Sequence, residues 1–270
     1  MIAILLSTYN GEKYLPELFS SILSQSYTKF KLYIVDDGSI DNTEKIINEF
    51  IAIDERIVKL YRDNTHDGPG KSFMWLLERV QADFYFFCDQ DDVWMSDKIE
   101  KSIALAESYS PNKPILIHSD LKVVDKSMNV LHESFWAFNG TKQAEFSSFD
   151  FHCAYNNIPG CAMVINKVAR DLSLPMPTSA KMHDAWIALV VTYHKGLILT
   201  MNEPLIYYRQ HPNNTIGARK SRSILQKIYH IRLIIKENND LYQTVNKLQH
   251  MTVTMFILNK LNIYIKLSKR

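Results

Sequence analysis

The sequence contains no glycine-rich phosphate loop. Neither GxGxxG nor GxxxxGK[ST] occurs in its 270 residues, which excludes the two usual ways of cradling a diphosphate with backbone amides alone. No apolar run reaches the roughly 18 residues that a membrane span needs. Cysteine is scarce: Cys88, Cys153 and Cys161 are odd in number and carry no metal-site spacing. That excludes a disulfide framework and fits buried thiols in a reducing compartment. Met1–Leu6 has no basic start and is too short for a signal peptide, so it reads as a strand, with the cytoplasm as the expected location. There are no internal repeats and no low-complexity linkers.

What is present is ordinary in bulk, with 46% apolar and 22% charged residues, enough for one core and a small appendage. The net charge of +2 conceals a division within the chain. From Arg219 to Arg270 there are 11 Lys/Arg against 2 Asp/Glu, which leaves 20 against 27 in residues 1–218. Such a split implies either a polyanionic or membrane-surface partner for the basic part, or a solvated helical face.

The first half alternates short apolar runs with helical patterns. Strands are expected at Ile2–Leu6, Lys31–Val35, Ile57–Tyr61 and Phe84–Cys88. Between them the spacing predicts helices over Leu15–Leu23, Glu44–Ile53 and Lys71–Val80, and a further helix at Lys98–Tyr109. This alternation implies a mostly parallel sheet covered on both faces. The second half is less regular: strands at Ile115–His118, Ala162–Ile165, Leu197–Thr200 and Leu205–Tyr208, a helix at Asp184–Tyr193, and an irregular polar and aromatic insert, Asn129–Ser148. After residue 218 Ile224, Ile228, Ile231 and Ile235 share a helical face. Past Glu237-Asn238-Asn239 a second helix is expected, with Val245, Leu248, Met251, Met255, Leu258 and Leu261 apolar.

Polar clusters end three of the early strands: Ser7-Thr8-Tyr9-Asn10, Asp36-Asp37-Gly38-Ser39 and Asp89-Gln90-Asp91-Asp92. Each alone has a local explanation as a turn or helix cap. Together, at successive strand C-termini, they mark the edge where open α/β sheets bind ligands. Clustered carboxylates offer hard oxygen donors for Mg²⁺ or Mn²⁺, and a cation so held neutralises a diphosphate without a glycine loop.

The sequence resembles the family 2 inverting glycosyltransferases of the GT-A fold, near the rhamnosyltransferase-like enzymes of bacterial surface polysaccharide synthesis. The resemblance rests on Ser7-Thr8-Tyr9-Asn10-Gly11, Val35-Asp36-Asp37-Gly38-Ser39 with Asp41, and Cys88-Asp89-Gln90-Asp91-Asp92-Val93-Trp94. Pro159-Gly160-Cys161, His183-Asp184-Ala185-Trp186 and Tyr208-Arg209-Gln210-His211-Pro212-Asn213-Asn214 complete it. It implies a nucleotide-diphospho-sugar transferase fold: an α/β, Rossmann-like mixed sheet flanked by helices. The implied domains are a catalytic domain over 1–217 (1–110 holding the nucleotide sugar, 111–217 the acceptor) and a basic helical tail over 218–270.

The resemblance also implies roles. Thr8 and Tyr9 line the base and ribose pocket, Asn10 belongs to the same nucleotide-sugar site, and Asp36 or Asp37 accepts the imide N–H of uracil or thymine. Asp89, Gln90 and Arg209 belong to the nucleotide-sugar site, Arg209 as a diphosphate donor. Asp91 and His211 ligate Mn²⁺ or Mg²⁺, while Asp92 either joins the site or caps the next helix. Asp184 is the general base, and Gly160, His183 and Trp186 face the acceptor. Phe135 and Trp136 are aromatic candidates for a sugar face. The expected activity is metal-dependent inverting transfer from a dTDP or UDP sugar, L-rhamnose among the candidates, to a growing, lipid-linked surface glycan. The tail would hold the enzyme peripherally at an anionic membrane, and no nucleic acid is expected as a partner. Two alternatives stand beside this: a sugar-nucleotide nucleotidyltransferase, which should show a basic glycine-rich loop that Ser7–Gly11 lacks, and a catalytically silent nucleotide-sugar or glycan-binding subunit.

Overall fold

The computed structural model describes residues 1–63, 67–140, 148–211 and 231–268. Strands β1 (Ile2–Thr8), β2 (Phe30–Asp36), β3 (Ile57–Leu60) and β4 (Phe84–Asp89) form a parallel block in the order β3-β2-β1-β4. Helices α1 (Leu15–Leu23), α2 (Thr43–Ile53) and α3 (Pro69–Arg79) connect them. Side chains alternate across the sheet with period two. Ile2, Ile4 and Leu6 enter one core with Phe86 and Cys88, while Ala3 and Leu5 enter the other with Tyr85 and Phe87. A sheet covered on both sides accounts for runs that are apolar throughout rather than alternating. Each fully buried Leu, Ile or Phe contributes about 1.5–3 kcal/mol. The strand ends therefore stand on a rigid platform.

Register brings those ends level: Thr8 lies opposite Asp36 on one side of β1, and Ser7 opposite Asp89 on the other. The chain continues through β5 (Val93–Trp94), α4 (Lys98–Glu107), β6 (Ile115–Val124), β7 (Val130–His132), α5 (Phe135–Asn139) and α6 (Phe149–His152). A 3-10 turn at Gly160–Ala162 leads into β8 (Met163–Asn166), α7 (Lys167–Ser173), α8 (His183–Tyr193) and β9 (Leu197–Arg209). Strand β8 runs antiparallel between β4 and β6, β9 lies parallel to β6, and β5 closes the far edge. The result is the expected α/β fold, one mixed sheet flanked by helices.

Several expectations need correction. The two strands placed at 197–200 and 205–208 are one strand, β9. Asn202-Glu203-Pro204 is absorbed where the register against β6 shifts beside Asp120, an irregularity that accommodates a proline lacking its N–H. The insert expected to be irregular contains β7 and α5, and Ser148 caps α6; residues 141–147 lie outside the described residues.

In the tail, Ile224 and Ile228 also lie outside the described residues. Helix α9 (Ile231–Val245) runs straight through Glu237-Asn238-Asn239, and the break falls at 246–252, before α10 (Val253–Ser268). Both helices pack against the preceding part of the chain. Val245, Met251 and Phe256 pack with Cys153 and Leu189, and Ile263 packs with Phe151 and Ala154. Of the apolar positions expected in the second helix, Val245 and Met251 are buried in that seat, whereas Met255, Leu258 and Leu261 are exposed. Among the described residues no helix is long and apolar enough to cross a membrane.

Candidate active site

The loops after β1 and β2 are tied to one another. Asn10 N–H donates to Ser39 Oγ at 2.8 Å, Ile40 N–H donates to Asn10 Oδ1 at 2.9 Å, and Gly11 N–H donates to Thr43 Oγ1 at 2.7 Å. Gln90 reaches over from the β4 loop. Its Oε1 accepts from Thr8 Oγ1 at 2.6 Å and from Tyr9 N–H at 2.8 Å, and its Nε2 donates to the Tyr9 carbonyl at 3.0 Å. Gln90 and Asn10, expected to touch a nucleotide sugar, instead spend these amide groups on fixing loops. Thr8 is buried and does the same. The clamp explains Gly11: a Cβ there would stand 2.7 Å from both Gln90 Oε1 and Thr8 Oγ1. Gly11→Ala should therefore cost about 1–3 kcal/mol, measured as a lowered urea midpoint with an unchanged slope.

Beyond the ends of β1, β2 and β3 lies an open cavity of about 410 Å³, between Tyr9, Asp36, Ser39, Lys59, Tyr61 and Arg62. That volume falls in the range of small-molecule sites. The two aspartates differ in how they are held. Asp37 is buried, and both its oxygens are engaged, Oδ2 by Gly68 N–H at 3.0 Å and Oδ1 by Ser72 Oγ at 3.2 Å. Asp36 accepts from the Ser39 N–H and hydroxyl through the single oxygen Oδ1. Both line the cavity, Asp36 bonded through one oxygen and Asp37 stapling β2 to the start of α3 through two.

Four carboxylates gather next to this cavity at the end of β4. Burial pushes the Asp89 carboxyl up to about 7, with the charges of Asp91 and then Asp184 adding to the rise. Asp89 feels the charge of both Asp91 and Asp184, so the three share one acidic centre although 93 positions separate Asp91 from Asp184 in the chain. Asp91 Oδ2 and His211 Nε2 lie 2.7 Å apart, and the His211 ring stacks on Tyr14 at 4.9 Å between centroids.

Asp92 turns the other way. It is buried, accepts the Arg209 amide N–H at 3.3 Å and faces the Cys161 thiol, and burial pushes its carboxyl well above the usual range. Asp89, Asp92 and Cys161 could themselves surround an ion. The donor chemistry argues otherwise. Burial raises the Cys161 thiol well above its ordinary value, so the soft thiolate is not available. The ammonium of Lys98, fully buried under the same group and pushed down to about 8 by burial, already supplies positive charge there. The hard oxygen of Asp91 beside the His211 imidazole suits Mn²⁺ or Mg²⁺ better. The raised Asp89 carboxyl is the mark of negative charge that a divalent cation would relieve.

Asp184 opens α8. Ile187, Val190 and Val191 hold this helix in the core, so its first turn is fixed relative to β4. Burial pushes the Asp184 carboxyl up to about 6, offset in part by the Ala185 N–H at 2.6 Å and by Asn156. Asn156 was not anticipated from sequence, since it lies between turn residues with no motif around it.

Three further expectations need correction. His183, expected at the acceptor, is buried between Phe73 and Phe87, with ring centroids at 4.4 and 4.8 Å, and burial drives it down to about 3, a neutral ring. Trp186 is likewise a core residue, its indole N–H donated to the Ser173 carbonyl at 2.7 Å. Arg209 is not a free donor for diphosphate: its guanidinium binds the Asp91 and Lys126 carbonyls and Glu17 and lies 5.0 Å from the Tyr14 ring, buckling the acidic loop to α1. Gly160 does lie beside this site, where a Cβ would meet His183 Nε2 at 2.9 Å and Asp184 Cβ at 3.7 Å. Trp136 is buried edge-on to His118, and Phe135 packs edge-on to Tyr208.

Residues 3–172 match the family described as glycosyl transferase family 2. Over 233 residues the chain is 30% identical to the dTDP-rhamnosyl transferase RfbG of Shigella flexneri, covering 80% of this chain and 75% of that protein. It is 28% identical over 228 residues to the putative teichuronic acid biosynthesis glycosyltransferase TuaG of Bacillus subtilis, covering 82% of each. Among solved structures it is similar to residues 1–349 of S. aureus TarS in complex with UDP-GlcNAc, with a TM-score of 0.63 at 15% identity over 98% of this chain and 72% of that one. A second is the mannosyltransferase PcManGT of Pyrobaculum calidifontis in complex with GDP-Man and Mn²⁺, with a TM-score of 0.62 at 14% identity over 98% and 69%. At these identities the likeness is one of fold, that of GT-A glycosyltransferases.

Proposed function

The chain belongs to glycosyl transferase family 2, and we propose that it moves one sugar from a nucleoside-diphosphate donor to a hydroxyl of a growing surface glycan, inverting the anomeric centre. The observation that most supports this reading is the Asp89 carboxyl, raised first by burial and then by the charges of both Asp91 and Asp184, because it sets a base candidate beside a cation-binding pair. A dTDP-linked rhamnose is the first donor to try, since the relative that is 30% identical bears that activity in its name. Residues 1–217 form the catalytic unit in this reading, and 218–270 a basic tail that holds it at an anionic membrane surface on the cytoplasmic side.

In this mechanism Tyr9 and Asp36 receive the base in the cavity beyond β2, where the second oxygen of Asp36 accepts the imide N–H of a uracil or thymine. Asp89 binds the ribose. Asp91 and His211 would hold Mn²⁺ or Mg²⁺, which when bound neutralises charge on the diphosphate. Asp184 accepts the proton of the acceptor hydroxyl as that oxygen bonds to the anomeric carbon, while the bond from the same carbon to the diphosphate oxygen breaks. Attack from the face opposite the leaving group inverts configuration. Gly160 keeps the approach to Asp184 free of a side chain.

The base pocket is tested by two neutral substitutions. Asp36→Asn should raise the KM for a UDP or dTDP sugar by about 10- to 100-fold, the value of a hydrogen bond to a charged group. Asp37→Asn should lower stability instead, through Gly68 and Ser72, with a smaller change in KM. If Asp37→Asn carries the KM effect, the assignment is reversed. Proton NMR of the first product formed reads the anomeric configuration, and retention would exclude the single-displacement mechanism.

A further inference from the structure

Helix α10 is apolar on two opposite faces. One is seated: Phe256 and Ile263 are buried against the body, and Asn259 Nδ2 donates to the Asp150 carbonyl at 2.8 Å. The other faces solvent, with Ile257, Leu258, Leu261, Tyr264 and Ile265 between 46% and 60% exposed. A contiguous exposed apolar patch of this kind marks a docking surface.

Charge identifies what covers it. From Leu241 to Arg270 the sequence has no Asp or Glu, but Lys247, Lys260, Lys266, Lys269 and Arg270. A second copy of the same face would bring positive charge against positive charge. An anionic bilayer leaflet suits an apolar face carried on a segment whose charge is all of one sign. Tyr264 has the amphipathic ring favoured at that depth.

The seat of these helices bears on the active site. Helix α9 fastens to the segment just before Asp184 through Lys181–Asp240 at 2.7 Å and Thr244 Oγ1 to Ser179 Oγ at 2.9 Å. Helix α10 fastens to α6, which leads directly to Asn156, the partner of Asp184.

We infer that the outward face of α10, centred on Leu258, Leu261 and Ile265, docks on an anionic lipid leaflet and turns the Asp184 side of the protein toward the bilayer, where a lipid-linked acceptor would lie. The acceptor clause rests on the glycosyl-transfer reading; the docking does not. Full-length protein should sediment with vesicles of equimolar phosphatidylethanolamine and phosphatidylglycerol and not with phosphatidylcholine vesicles. The double substitution L258E/L261E should lower the partition coefficient at least about tenfold, and Lys266→Ala about fivefold. The native thiols are all buried, so a fluorophore can be placed selectively at Thr178→Cys, exposed in the segment before Asp184, and lipid-borne quencher should dim it more than one at Lys45→Cys on α2.

Equal binding to both vesicle types, undiminished binding of L258E/L261E, or stronger quenching at position 45 would overturn the inference. So would a mass doubling in vesicle-free solution that L258E/L261E abolishes, since the cover would then be a second copy. Donor hydrolysis without vesicles should be the same in L258E/L261E and wild type. If neither hydrolyses any nucleotide sugar while the vesicle results hold, the catalytic reading has failed and the docking surface stands.

Discussion

Asp184→Asn should lower glycosyl transfer by about 10²- to 10⁴-fold, the usual contribution of a positioned general base, while the nucleoside diphosphate binds as tightly as before. The wild-type rate should also report this group directly. A base pushed up to about 6 by burial must be ionised to act, so kcat/KM should fall as pH drops through 6 and level off above 7. Stability should move the opposite way. The folded carboxyl holds its proton to about pH 6 and the unfolded one only to 3.8. The cost of the buried charge is therefore absent below pH 4, grows between pH 4 and 6, and is fully present at pH 8. Asp184→Asn should accordingly be more stable than wild type at pH 8, by on the order of 3 kcal/mol, and equal to it near pH 4. A variant that is less stable at pH 8 and fully active would mean that Asp184 merely caps α8.

The second large effect is expected at Asp91. Asp91→Asn keeps the shape of the side chain and its position beside His211 but removes the anionic oxygen that a divalent cation needs. A loss of roughly a thousandfold in kcat/KM is expected, corresponding to several kcal/mol of charge stabilisation, with saturation by Mn²⁺ displaced to higher concentration. Because Asp91 is the first charge among the neighbours that raise Asp89, its neutralisation should also bring Asp89 back toward the ordinary carboxylate range. The variant should therefore gain stability at pH 8. Wild-type activity in Asp91→Asn with an unaltered Mn²⁺ response would remove the metal assignment.

Much of the catalytic half can be read in the sequence because parallel strands buried on both faces leave continuous apolar runs, as Ile2–Leu6 and Phe84–Cys88 do, and because polar residues at strand C-termini must sit at one edge. What that pattern could not reveal was which polar side chains face the pocket. Gln90, Asn10 and Arg209 are chemically suited to a nucleotide sugar, but backbone and side-chain groups of neighbouring segments take their donors and acceptors. Loop-to-loop pairing between residues about 80 to 120 positions apart leaves no periodic trace.

His183 and Trp186 misled for a different reason. They flank Asp184 on a helix buried on nearly all sides, so residues one and two positions away point into the core. In the tail, periodicity marked apolar positions without showing which are covered: helix α10 is apolar on two faces, and Leu258 and Leu261 lie on the one turned away from the protein. Asn156 and Lys98 carry no motif, and only the packing around them shows that one touches Asp184 and the other lies beneath Asp92.

The central claim is that carboxylates distant in sequence serve one cation and one diphosphate. Thermal unfolding of the wild type, Asp91→Asn and Asp184→Asn with UDP or dTDP, each with and without Mn²⁺, tests it most directly, because a ligand bound only by the folded state raises Tm in proportion to its affinity. The nucleotide should raise Tm of the wild type and of Asp184→Asn only when Mn²⁺ is present, and should leave Asp91→Asn unmoved. An equal rise in all three proteins without metal would contradict the account.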